Sequence, residues 1–213
     1  MLKLINDFSE KFLKLSPEKE IRIISNSETE GITSTAILIR TFKRLDRKFS
    51  SKIIKKHDND ALDEELKLDK EKIIFLINLE ISNLEILNKI NKTIFIIDNN
   101  PLKMKDINEG LRIINPHLTK NSKENYCSVS SICYLFSKKI SEKNSDLAKI
   151  ALIGIVDNKN ISRIDKKVMN DTIELTVKKG LILYTATRPL KRVLEYSISP
   201  YIPGVTGNGP GAS

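Results

Sequence analysis

The feature that most limits what this chain can fold into is a series of short, almost wholly apolar runs rich in β-branched residues. They are IRIIS at 21–25, KIIKK at 52–56, KIIFLIN at 72–78, TIFIID at 93–98 and LRIIN at 111–115. A strand with one face in water alternates apolar and polar residues. A continuous apolar run is instead buried on both faces, as in a parallel sheet covered by helices. Between the runs, ITSTAILIRTFKRL at 32–45 and ISNLEILNKI at 81–90 repeat apolar residues at helical spacing. This alternation predicts an α/β fold, with a parallel sheet of about five strands and helices on both faces.

Beyond about residue 127 only helical patterns remain, in CSVSSICYLFSKKI, DLAKIALIGIVDN and DKKVMNDTIELTVKKG. A single domain over 1–200 is therefore expected, with its sheet part at about 20–118 and a helical layer at about 127–197. Residues 198–213 are rich in Pro and Gly and read as a tail, or as the start of a linker to an absent second domain. The opening MLKLINDFSEKFLKL predicts an amphipathic helix with Leu2, Ile5, Phe8, Phe12 and Leu13 on one face. No apolar run reaches bilayer length, so the expected location is cytoplasmic, with no membrane partner.

The formal net charge of +9, from 36 basic and 27 acidic residues, suits nucleic acid or an acidic protein partner. Candidate phosphate contacts are Arg188, Lys191 and Arg192, with Lys178 and Lys179. The chain has no tryptophan, and its aromatics do not interleave with basic residues as a base-stacking platform requires. Cys127 and Cys133, six apart, would face opposite ways on a helix, so packing residues are expected rather than a disulfide or zinc site. The charge-rich stretch at 57–72 reads as a solvated loop and an exposed helix.

In open α/β sheets, ligands bind at the carboxyl ends of the strands. Reading off what stands there gives Asn26, Glu28, Glu30 and Gly31 after the first run, then Asn78, then Asp98-Asn99-Asn100-Pro101. Asp157 closes the apolar run ALIGIVD. These four places are expected to converge on one edge. Ordinary loop acids and helix caps would account for the same carboxylates, absent a further reason to group them.

The order and intervals of these groups resemble the DHH phosphoesterase family, of RecJ type. That family places His-x-Asp-x-Asp-Gly after the first strand, an Asp after a later one, then Asp-His-His, and a further Asp after a Gly-containing apolar run. Gly31, Ser34, Pro101 and Gly154 stand where the pattern has its flanking residues. NPHL at 115–118 and RPLKRVLEYSISPYIPGVTG at 188–207 resemble the archaeal RecJ-like group that includes a GINS-associated nuclease. The resemblance runs from about residue 20 to the end.

The departures from the family pattern bear most on function. Its first histidine is Asn26 here, its two aspartates are Glu28 and Glu30, and the next aspartate is Asn78. The triplet keeps Asp98 but reads Asn99 and Asn100, while Asp157 is retained. A two-manganese site needs several carboxylates for charge and imidazoles to complete coordination. Asparagine offers only a neutral oxygen, and Asp→Glu displaces a ligand by about 1.5 Å. His57 and His117, the chain's two histidines, fall in other segments.

No catalysis and no cofactor are therefore expected. The resemblance implies a non-catalytic replication component that binds GINS, and through it the MCM ring of the replicative CMG helicase, as does the degenerate RecJ relative Cdc-forty-five. Contact with single-stranded DNA and association with the nucleoid would accompany that role. An alternative is a manganese- or magnesium-dependent exonuclease or phosphoesterase using Glu28, Glu30, Asp98 and Asp157 alone. A second alternative is a stand-alone single-strand DNA binder.

Overall fold

The computed structural model of the protein describes residues 1–55, 57–67, 73–81, 87, 92–101, 111–119, 126–158, 160–172, 190–196 and 203–208. It divides into two compact units, Met1–Glu174 and Leu175–Ser213, so the division falls ahead of the Pro/Gly-rich stretch at 198–213.

Five parallel strands form the sheet of the first unit: β1 (Ile21–Asn26), β2 (Phe49–Ile54), β3 (Ile73–Ile77), β4 (Ile94–Ile97) and β5 (Leu111–Ile114). Their order is β2-β1-β3-β4-β5. The register pairs Ile23 with Ser51 and with Phe75, Phe75 with Phe95, and Phe95 with Arg112. As expected, the central strands are buried throughout.

Alternation along the strands sorts their side chains into two cores. Ile21, Ile23, Ile73, Phe75, Ile77, Phe95, Ile97 and Ile114 join one; Ile24, Ile74, Leu76, Ile94, Ile96 and Leu111 join the other. The first face is covered by α1 (Leu2–Leu13), α2 (Thr29–Arg44) and α4 (Val129–Ile140). The second carries α3 (Asn59–Lys67), whose Leu62 and Leu66 pack there. Phe8, Phe12, Phe42, Phe75, Phe95 and Phe136 pack ring against ring on the first face, with Phe75 stacked on Phe95 at 4.9 Å.

The helical layer continues with α5 (Ala148–Asp157) and α6 (Arg163–Asn170). Ser128 caps α4 by accepting from Ser131 N, and Ser162 with Asp165 forms a capping box on α6. Thr41 on α2 meets Ser137 on α4 at 2.5 Å, and Arg44 forks onto Asp146 at 2.7 and 2.8 Å.

Several details depart from the expectations. In α1, Ile5, Phe8 and Phe12 are buried, but Leu2 and Leu13 are about half exposed. At 100° per residue both lie about 100° round from the centre of the buried stripe. Cys127 precedes α4 rather than lying on it; it and Cys133 are free and buried, and burial pushes the Cys133 thiol up to about 12. The charged stretch at 57–72 is not wholly solvated, because Glu65 turns inward to pair with Arg22 at 2.6 Å. The helix expected over 81–90 lies outside the described residues, apart from Ile81 and Leu87.

In the second unit, α7 (Leu190–Glu195) is followed by a turn in which Gly207 N donates to Glu195 O. Gly204 and Gly207 both take positive φ there, which glycine adopts without steric cost. Among the described residues, no helix is long and apolar enough to cross a membrane.

Candidate functional site

The strand order reverses direction between β1 and β3, so the connections that leave their carboxyl ends run opposite ways and leave a crevice. Asn26 closes β1 and is fully buried; Asn78 follows β3 and is 5% exposed. Asn78 Nδ2 donates to Asn26 Oδ1 across the crevice at 3.4 Å. Asn78 and Glu80 both have positive φ, so the chain turns sharply as it leaves β3.

Around this point lies a pocket of about 480 Å³, lined by Ser27, Glu28, Thr29, Glu30, Asn78, Glu80, Asn99, Asn100, Asp157 and Asn158. The four places read from the sequence therefore do meet. Asp98, 1% exposed, sits beneath them. Gly31 is required at the base, because a Cβ there would overlap the Asn26 carbonyl and side-chain oxygen.

The carboxylates are held by amide donors. Asp98 Oδ1 accepts from the backbone and side-chain nitrogens of Asn100, each at 2.8 Å, and Oδ2 accepts from Glu80 N at 2.8 Å. Asn100 is itself fixed by Asn115, whose Nδ2 donates to the Asn100 carbonyl at 2.7 Å. Glu30 accepts from Asn158 Nδ2 at 2.6 Å and Asn99 Nδ2 at 3.3 Å. Asn26 donates to Glu28 Oε2 at 3.2 Å. The asparagines thus supply N–H groups to oxygens that would otherwise be open to an ion.

Burial decides the electrostatics. It pushes the Glu30 carboxyl up to about 7, opposed by the Val129 amide and reinforced by the negative charge of Asp165. Asp98 is raised for the same first reason, opposed by its bonds from Asn100. Glu30 sits in the first turn of α2, where the helix dipole favours an acid. Asp157 is the last residue of α5, where the dipole does not.

Some residues at the site were not singled out from the sequence. Asn158 and Glu80 adjoin predicted positions and were within reach of the pattern. His57 was not: its Nε2 lies 3.1 Å from Glu80 Oε2 at the pocket rim. His117 lines an adjoining cavity of about 550 Å³ with Asn99, Asn100, Tyr126 and Asp157. Both histidines thus stand beside the site, though among the described residues no three His, Cys, Asp or Glu side chains are grouped to hold a metal ion. Arg188, Lys178 and Lys179 lie outside the described residues; Lys191 and Arg192 belong to α7, with Arg192 exposed.

The fold is shared with known proteins. The chain is similar over 200 residues to an uncharacterised protein of Methanocaldococcus jannaschii, at 23% identity, covering 89% of this chain and 46% of that one. In fold it is similar to exonuclease RecJ bound to manganese, at TM-score 0.63 and 15% identity over 98% of this chain and 54% of that one. Manganese-bound RecJ from Thermus thermophilus gives 0.64 and 18% over 99% and 31%. CDC45 from Entamoeba histolytica gives 0.57 and 18% over 86% and 39%. The chain thus spans about half or less of the length of each. Residues 20–155 match the model of the DHH family, N-terminal domain, and the chain belongs to that family.

Proposed function

We propose that this chain is a catalytically inactive RecJ-like subunit of the archaeal replicative helicase, binding GINS, and through it MCM, as a scaffold. The observation that carries the reading is that the buried carboxylates Asp98 and Glu30 are already occupied by N–H donors of the chain itself, most of them asparagine amides. Both oxygens of Asp98 and both of Glu30 already accept N–H donors. A manganese pair does not fit this donor set. Asn26, Asn78, Asn99 and Asn100 carry no charge, and among the described residues no three His, Cys, Asp or Glu side chains are grouped to hold a metal ion. The fold-level likeness to CDC45 supports the helicase role.

A scaffold of this kind acts by adding interface, so that the assembled ring is favoured by mass action without any chemical step. The second reading, a metal-dependent single-strand DNA exonuclease or phosphoesterase, has one observation in its favour. Glu28, Glu30, Glu80 and Asp157 line one pocket, and the likeness to manganese-bound RecJ covers nearly the whole chain.

Co-purification of the tagged chain with GINS, beside a manganese nuclease assay on the same preparation, separates the two. A stoichiometric complex without cleavage is the expected result. Cleavage that disappears in Asp98→Ala would overturn it.

A further inference from the structure

The asparagines of the pocket are used at one end only. Asn100 Nδ2 donates to Asp98, Asn158 Nδ2 to Glu30, and Asn99 Nδ2 to Glu30 and to the Cys127 carbonyl. Carbonyls and ionised carboxylates only accept, so each of these amides turns its NH2 inward and its oxygen away. Asn78 is fixed in the same manner: Asn26 Oδ1 accepts from Glu28 N, so Asn78 must present Nδ2 to it. The side-chain oxygens of Asn78, Asn99, Asn100 and Asn158 accept no hydrogen bond from the described residues, and none is sealed from solvent. All four residues line the pocket, and Asn78 does so from a side chain only 5% exposed.

Charge points the same way. The chain carries a net +9, yet no described lysine or arginine lines this pocket or the cavity beside it. Glu28, Glu80 and Asp157 do line the pocket, and Asp157 is exposed at the end of α5. The amino terminus of α2 opens here and would favour an anion, but Glu30 in its first turn already supplies that charge. Four open acceptors among acids disfavour a phosphate and suit a cation that donates several N–H groups at once. A metal ion is a poor match, because hard cations need oxygens converging at about 2.0–2.6 Å. These oxygens line a space of about 480 Å³, the size of a small-molecule site. The adjoining cavity, which shares Asn99 and Asn100, adds the ring of Tyr126, 60% exposed, on which a flat cation stacks.

We propose that this pocket binds a guanidinium group, whose N–H donors meet the open amide oxygens and whose charge is met by Asp157. A guanidinium brings five donors in one plane, where an ammonium brings three around a point, and it sheds its water more readily. It arrives on a small molecule or on an arginine of a partner protein, and the chemistry of the site is the same for both. The inference rests on the reading of the site as metal-free and deepens it by naming a ligand; it does not require GINS.

The test titrates the full chain by calorimetry with agmatine and with an end-blocked Gly-Gly-Arg-Gly-Gly peptide. Each runs beside its amine counterpart, cadaverine or the lysine peptide, with inorganic phosphate as the anionic control. Saturable binding of a guanidinium probe is expected, about tenfold tighter than its amine counterpart, with none for phosphate. Tighter binding of agmatine would assign the site to a small molecule, and tighter binding of the peptide to a partner's arginine. Asn78→Leu, which deletes the buried oxygen, should weaken binding by about tenfold, and Asp157→Asn by about fivefold. If Asn78→Leu does not fold, Asp157→Asn, at an exposed position, decides alone. Equal binding of guanidinium and amine, binding untouched by Asp157→Asn, or binding of phosphate would overturn the proposal. Failure of both guanidinium probes, with manganese also left unbound, would overturn it and leave the metal-free reading standing. Tight manganese uptake by the same preparation would overturn both.

Discussion

Two polar clusters lie on either side of Glu30, and they are built to opposite rules. Behind it, Asp165 is fully buried, and both its oxygens are saturated. Oδ1 accepts from Ser128 N, Ser128 Oγ and Ser131 Oγ at 3.1, 3.0 and 2.6 Å, and Oδ2 from Ser162 N at 2.9 Å. These bonds tie the start of α4 to the start of α6, which is structural work. In front, the pocket is open, lined by amides and acids that reach each other at up to 3.4 Å, across the sheet's switch point. A buried acid such as Asp165, with both oxygens answered at the starts of two helices, holds the fold together. In the pocket, Glu28 and Glu30 accept from asparagine side chains and Asp98 from Asn100 and the Glu80 amide, at the open end of the sheet where ligands bind in folds of this kind.

If that contrast is right, the largest loss of stability comes from the closed cluster. Asp165→Ala leaves the Ser128 and Ser162 amides without acceptors and should cost about 3–5 kcal/mol, read by urea unfolding. A loss below that of the pocket substitutions would break the contrast.

Next in size is the pH dependence of Glu30. Its folded value, about 7, lies above the ordinary 4.5, so the folded chain holds the proton more tightly than the unfolded one. The contribution is therefore full below about 4.5 and lost as pH rises to about 7, on the order of 2 kcal/mol after allowance for solvent. Glu30→Gln should remove that slope in unfolding curves taken across the window. An unchanged slope would place the titration elsewhere.

The smallest effect is expected at Asp157, exposed at the carboxyl end of α5. Asp157→Asn relieves an unfavourable charge–dipole contact and should stabilise by about 0.3–1 kcal/mol at low salt. A clear loss of stability would mean that Asp157 has a holding role like that of Asp165.

The sheet was legible because the central β-branched runs are buried on both faces, although β2, at the edge, is exposed over much of its length; the pocket was legible because strand ends converge wherever a parallel sheet changes direction. What could not be read depended on tertiary placement. Leu2 and Leu13 look like core until the stripe's centre is known. Glu65 looks solvated until Arg22 is brought beside it from a neighbouring element. His57 reaches the rim only because β2 adjoins β1, setting the loop after β2 near the loop after β3. Asp165 was visible only as the fourth residue of a Ser-x-x-Asp cap; its bonds to Ser128 and Ser131 span more than thirty positions.

Whether the chain's own N–H donors or a metal satisfy Asp98 and Glu30 is decided by a manganese titration of the purified chain followed by electron paramagnetic resonance. Added manganese is expected to stay in the free, hydrated pool, in the native chain and in Asp98→Ala alike. Tight uptake of manganese by the native chain, abolished in Asp98→Ala, would contradict it and return the chain to the working enzymes of its family.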